Sequence, residues 1–179
     1  MVYVIFALAE IPILVWLVVA VRKSEWHEIA MSVGAFLSVL LCFENFGKLL
    51  PFDYWKLADA PWLTIPGKIL LAAGGVLFLT TFFTMRRLGK PSDAWESTTQ
   101  LIETGVFGII RHPIYFSAFL AMVGLLLIWF STISLIVAFV ACICFFLAAW
   151  FEDRWDEEKF GEAYRHYREH TRLFFPFIF

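Results

Sequence analysis

Two short segments carry residue types able to do chemistry. The first is Arg111-His112-Pro113, with Tyr115 one helical turn further on; the second is the acidic pair Glu152-Asp153. A guanidinium at the start of a helix favours a carboxylate, because the first unpaired amides there carry partial positive charge. An acidic pair favours an ammonium group, so the two segments together can grip both ends of an amino-acid-like zwitterion. His112 and Glu152 are also the candidates for acid–base work, since either can take a proton from an amine or a thiol. The aromatic faces of Tyr115, Trp150, Trp155, Tyr164 and Tyr167 suit a cationic centre such as a sulfonium, an attraction of roughly 0.5–2 kcal/mol. Cys42, Cys142 and Cys144 all fall in apolar runs, where a thiol acts as a small hydrophobe. Neither disulfides nor a metal site is therefore expected.

The two segments meet only if the chain between them folds back. Pro113 suits the first position of a helix, and an apolar run follows from Ile114 to Phe130. Ser131-Thr132-Ile133-Ser134 interrupts it, and a further run extends from about Leu135 to Phe151. So short a connection makes the two runs an antiparallel hairpin, which returns Glu152 and Asp153 to the face that holds Arg111 and His112.

Three earlier runs, Val2–Val21, Ile29–Leu50 and Ile69–Met85, are near the length of about 20 residues needed to cross a bilayer. The chain is 61% hydrophobic and 17% charged, with a mean hydropathy of +0.77, against roughly half and a quarter for soluble domains. The expected fold is an all-α polytopic membrane bundle of five transmembrane helices. A C-terminal amphipathic surface helix, from Glu152 to about His170, closes it with Phe160, Tyr164 and Tyr167 on one face. Residues 1–179 read as a single integral membrane domain, with a three-helix part over 1–86 and the chemistry-bearing part over 87–179. Val2–Val21 lacks a basic leader and a small-residue cleavage site, so it reads as a retained helix. Glu10 inside it is expected to make an interhelical hydrogen bond. The loop Pro51–Pro66, with Tyr54, Trp55 and Trp62, reads as a headgroup anchor. Gly74-Gly75 permits close helix approach, within one chain or between two, which leaves the oligomeric state open. The stretch from Lys90 to Thr104 is too charged to span.

A net charge of -2 and a pI of 6.1 give nucleic acid no electrostatic foothold. Arginines and lysines collect after the first, third and fifth runs and at the mouth of the fourth. The opposite loops hold only Lys48, Lys56 and Lys68. That bias puts the N-terminus outside, and the C-terminus and candidate site in the cytoplasm.

The stretch Leu101-Ile-Glu-Thr-Gly-Val-Phe-Gly-Ile-Ile-Arg-His-Pro-Ile-Tyr115, then a hairpin, Glu152-Asp153, Phe160-Gly161-Glu-Ala-Tyr164-Arg-His-Tyr167 and Arg172-Leu-Phe-Phe-Pro176 resembles the isoprenylcysteine carboxyl methyltransferase and phospholipid methyltransferase superfamily. The likeness spans Lys90 to Pro176. It implies a membrane-embedded methyltransferase using S-adenosylmethionine, with Gly105, Arg111, His112, Tyr115, Glu152 and Asp153 around the cofactor. It also implies that Tyr164, Tyr167 and Arg172 close the pocket or position a lipophilic acceptor drawn from the bilayer lipids: an isoprenylcysteine carboxylate, a phospholipid amine or a similar small molecule. The chain departs from the pattern at Asp153, usually Glu, at Asp156, often Leu, and in having no arginine over Cys142–Phe151. Two other readings remain at this point. One is an NADPH-dependent sterol or steroid reductase, which resembles the superfamily in its C-terminal helices; the other is a non-catalytic membrane subunit of the same fold.

Overall fold

A computed structural model describes residues 2–47, 61–90 and 98–174, the side chains of residues 44–47 excepted. Tyr54, Trp55, Lys48, Lys56 and Pro176 lie outside the described residues. The chain forms α1 (Val2–Lys23), α2 (Trp26–Gly47), α3 (Pro61–Leu88), α4 (Pro113–Ile128), α5 (Thr132–Phe160) and α6 (Glu162–His170), with a short 3-10 turn over Gly105–Gly108. Helices α1, α2, α3 and α5 are long and apolar enough to cross a membrane. Their outward surfaces present Leu8, Val76 and Phe139, the inverse of a soluble bundle and the arrangement that lipid requires. The fourth expected span is shorter: α4 has 16 residues, about 24 Å at 1.5 Å each, against a hydrocarbon core of about 30 Å.

Local sequence explains where the helices of the hairpin begin and end. Pro113 opens α4 behind His112, which occupies the cap position. Ser131 caps α5 by accepting a hydrogen bond from the Ser134 amide at 3.1 Å. The apolar part of α5 ends at Phe151, but the helix does not: it continues as a polar extension from Glu152 to Phe160. The surface helix expected over Glu152–His170 is thus two pieces, because polarity alone does not break a helix. Gly161 does, at φ +61, a conformation that costs glycine nothing for want of a Cβ. Only Glu162–His170 is a separate helix, and its Tyr164 and Tyr167 are buried against the bundle. The loop expected over Pro51–Pro66 also needs correcting at its end, since α3 begins at Pro61 and carries Pro66 within it. Trp62 is therefore helical and exposed.

Helices α3 and α4 approach closely through small residues. A Cβ on Gly67 would lie 2.8 Å from the Gly124 carbonyl oxygen, and one on Gly124 would lie 2.7 Å from that of Gly67. One turn pair further along, a Cβ on Gly74 would meet the Ser117 carbonyl at 2.7 Å, whereas Gly75 faces open space. Gly74 therefore serves packing within this chain. The main core lies between α2, α4 and α5, around Leu41, Tyr115, Met122, Leu125, Ala141 and Phe145. Phe174 plugs it from the C-terminal side, edge-on to Phe116, Phe119 and Phe146. Glu10 differs from expectation. It is buried, and neither carboxylate oxygen has a hydrogen-bond partner among the described residues. The anticipated interhelical bond is therefore not made among the described residues.

Candidate functional site

The α4–α5 hairpin puts the mouth of α4 beside the polar extension of α5, and α6 with the segment after it folds across both. Arg111 Nε donates to Asp153 Oδ1 at 2.7 Å, with the two side chains 8% and 6% exposed. Arg111 Nη1 donates to the Thr171 carbonyl at 2.9 Å. The Arg111 amide donates to the Arg172 carbonyl at 2.8 Å, and the Arg172 amide to the Ile109 carbonyl at 3.1 Å. This short parallel bridge ties the C-terminal segment to the entrance of α4. Tyr164 donates its hydroxyl to Asp153 Oδ1 at 2.7 Å, and Tyr167 to the Phe107 carbonyl at 2.6 Å.

His112 is buried between three acids. Its Nδ1 stands 3.7 Å from Glu152 Oε2 and its Nε2 3.5 Å from Asp153 Oδ1. The second contact is an ion-pair approach without hydrogen-bond alignment, so Nε2 has no hydrogen-bond partner among the described residues. Burial is the largest influence and pulls the His112 pKa down. The carboxylates of Asp153, Glu152 and Asp156 together outweigh it and leave the pKa raised. Asp153 responds in the opposite sense: burial would raise it, but His112, the Tyr164 hydroxyl and Arg111 hold it well below the usual carboxylate range. Burial, with Glu152 beside it, pushes Asp156 up to about 7. Burial also raises the phenols of Tyr164 and Tyr167, so both stay neutral donors.

Next to this cluster opens a cavity of about 300 Å³. Of the residues expected at the site, Arg111, His112, Tyr115, Glu152, Tyr164 and Tyr167 line it. Asp153, Gly105 and Arg172 are not among its lining residues. Asp153 lies behind the wall as the hub that holds Arg111 and Tyr164. Gly105 opens the 3-10 turn at φ +65, and Arg172 acts through its backbone. Of the aromatic candidates, Trp155 faces the cavity, while Trp150 lies outside it with the Arg154 guanidinium 3.7 Å over its ring.

The cavity also takes residues that the motifs did not suggest. Asp156 lines it; four residues after Glu152, it shares that residue's helix face, as the spacing alone permits. Helix α1 contributes Trp16, the α1–α2 turn Glu25, and α2 His27, Glu28 and Met31. The Trp16 indole donates to Glu28 at 3.3 Å, His27 stacks on Trp155 with centroids 5.6 Å apart, and Tyr115 donates to Met31 Sδ at 3.5 Å. Nothing in the local sequence of α1 and α2 marks them, because their place in the cavity depends on how α2 packs on α5.

A bundle of apolar helices with a polar, partly charged cavity is the architecture of an integral membrane protein. The phospholipid methyltransferase family model matches residues 62–163, more than half of the 179 residues, and the chain belongs to that family, whose members are membrane methyltransferases. The match includes Arg111, His112, Tyr115, Glu152 and Asp156 and leaves α1, α2 and most of α6 outside. No curated protein and no solved structure matches the chain.

Proposed function

We propose that the protein transfers a methyl group from S-adenosylmethionine to a lipophilic acceptor that reaches the cavity from the bilayer. One observation carries the reading: Arg111, His112, Tyr115 and Glu152, from the two ends of the α4–α5 hairpin, converge on one cavity within the family-matched segment. The buried Nε2 of His112, without a hydrogen-bond partner among the described residues, and the Glu152 carboxylate 3.7 Å from its Nδ1 fit a site that receives a polar, doubly charged headgroup. The cofactor supplies an electrophilic methyl group carried on a sulfonium.

The protein's part is alignment and exclusion of water, the main sources of rate in an in-line displacement. Glu152 and Asp156 suit an ammonium end. His112, with its raised pKa, and the positive charge of Arg111 suit a carboxylate. The faces of Tyr115 and Trp155 suit the sulfonium. Asp153, though not on the wall, positions Arg111 and Tyr164, and Tyr164 and Tyr167 close the cavity floor. His112 and Glu152 are the residues placed to take the proton that an amine or thiol acceptor gives up. A carboxylate acceptor needs no base. The bias of basic residues supports an N-terminus on the non-cytoplasmic side and a site facing the cytosol.

Calorimetric titration of the purified protein in detergent with S-adenosylmethionine and with NADPH tests the reading. Saturable binding of the first and none of the second is expected, followed by transfer of labelled methyl into a membrane lipid extract. A folded protein that fails to bind S-adenosylmethionine overturns it.

A further inference from the structure

The last two turns of α6 carry a second cluster of ligand-bearing side chains, on the helix face opposite Tyr164 and Tyr167. His166, Glu169 and His170 each bring one ligand atom to within 4.8 Å of the others. Histidines four residues apart on one helical face are the spacing by which helices present two imidazoles to one zinc ion. His166 Nδ1 and Glu169 Oε2 are 3.5 Å apart. A tetrahedral zinc with bonds of about 2.0–2.2 Å holds its ligand atoms about 3.3–3.6 Å from each other, so this pair already stands at the required separation. The two rings lie edge to face with centroids 4.9 Å apart. His170 Nδ1 is 3.0 Å from the His166 carbonyl oxygen. Donation there fixes the tautomer and leaves Nε2 as a lone-pair donor, which is how outer-shell carbonyls prepare a metal-binding histidine. The side chains of His166 and Glu169 are 74% and 70% exposed, so an ion enters without unfolding anything.

We infer that His166, Glu169 and His170 form a binding site for a divalent transition-metal ion of the zinc class, with a fourth position open to water. Two imidazoles and one carboxylate select such an ion over magnesium or calcium, which take oxygen ligands. The site is separate from the cavity and does not depend on the methyltransferase reading. Its bound ion pins the end of α6, where the next residue, Thr171, presents its carbonyl to Arg111. The metal therefore stiffens, from outside, the helix whose Tyr164 and Tyr167 line the cavity.

The test uses the full chain in detergent, purified without a polyhistidine tag, titrated with zinc by calorimetry and with cobalt by visible absorption. Wild type is expected to bind one zinc at this site and to give the intense visible bands of four-coordinate cobalt. His170→Ala should weaken zinc by roughly tenfold or more, since even an outer-shell partner is worth that much. His166→Ala/His170→Ala should abolish the cobalt bands. Both variants are surface changes, and circular dichroism and gel filtration verify that they fold. Zinc binding undiminished in the double variant assigns the ion elsewhere, for example to His112, Glu152 and Asp156, and overturns the proposal. So does a wild type that binds no zinc at millimolar concentration.

Discussion

Asp153 and Glu152 are adjacent in sequence, and the structure gives them opposite work, so substituting them separately should split stability from binding. Asp153 is 6% exposed and accepts from Arg111 and Tyr164, each at 2.7 Å, with His112 and Arg168 nitrogens at 3.5 Å. Asp153→Asn keeps the shape but removes the charge facing a guanidinium that is itself 8% exposed. Breaking one side of a buried pair costs about 3–5 kcal/mol, because the remaining charge stays buried without its partner. For a chain of this size roughly 2–4 °C of melting temperature goes with each kcal/mol, which puts the loss at about 6–20 °C. Glu152 is 21% exposed and has one long contact, 3.7 Å to His112. Glu152→Gln should move the melting temperature by no more than a few degrees while weakening S-adenosylmethionine at least tenfold. The assay is thermal unfolding in detergent, followed by fluorescence-detected gel filtration, with ligand titration of each folded variant. An Asp153→Asn protein as stable as wild type, or a Glu152→Gln protein equally destabilised, refutes this division of roles.

Three further outcomes follow from the same structure. Because the Asp156 carboxyl is raised to about 7 in the fold, the folded state binds more protons than the unfolded state between about pH 4 and 7. Stability from this group is present at low pH and falls across that window as pH rises; melting temperatures from pH 5 to 8 should show the decline, and Asp156→Asn should flatten it. Gly124→Ala places a methyl 2.7 Å from the Gly67 carbonyl and should cost about 1–3 kcal/mol by overpacking. Gly75→Ala meets nothing within 4 Å and should be neutral or slightly stabilising, as thermal unfolding of the pair will show. Glu10→Leu removes two buried oxygens without hydrogen-bond partners among the described residues, each costing about 1–3 kcal/mol, and should raise the melting temperature; a fall would mean that the acid has a partner in the assembled protein.

The hairpin and its consequence were legible in the sequence. Apolar run, four-residue polar break and apolar run can fold only one way, and that places Arg111 next to Asp153. What escaped was the finer assignment. Whether an acid faces a cavity or turns inward depends on a rotation of 100° per residue, and that rotation is set by how α5 packs on α2 and α4. Glu152 and Asp156 share one face and Asp153 another, so the adjacent pair Glu152-Asp153 suggested by the motif is not the pair that lines the cavity. The end of α5 was misplaced for a related reason. Loss of apolar character marks where a helix leaves the lipid, but only a residue such as Gly161 marks where it stops. The wall contributed by Trp16, Glu28 and Met31 was invisible, since it arises from contacts between helices far apart in the chain.

The parallel bridge between Ile110 and Arg172, with Phe174 seated among Phe116, Phe119 and Phe146, makes residues 171–174 a clasp across the entrance of α4. Releasing that clasp takes the Thr171 carbonyl from Arg111 and the Phe174 ring from the core in one movement. Order at the mouth of the cavity and tight packing of the hairpin are therefore gained or lost together.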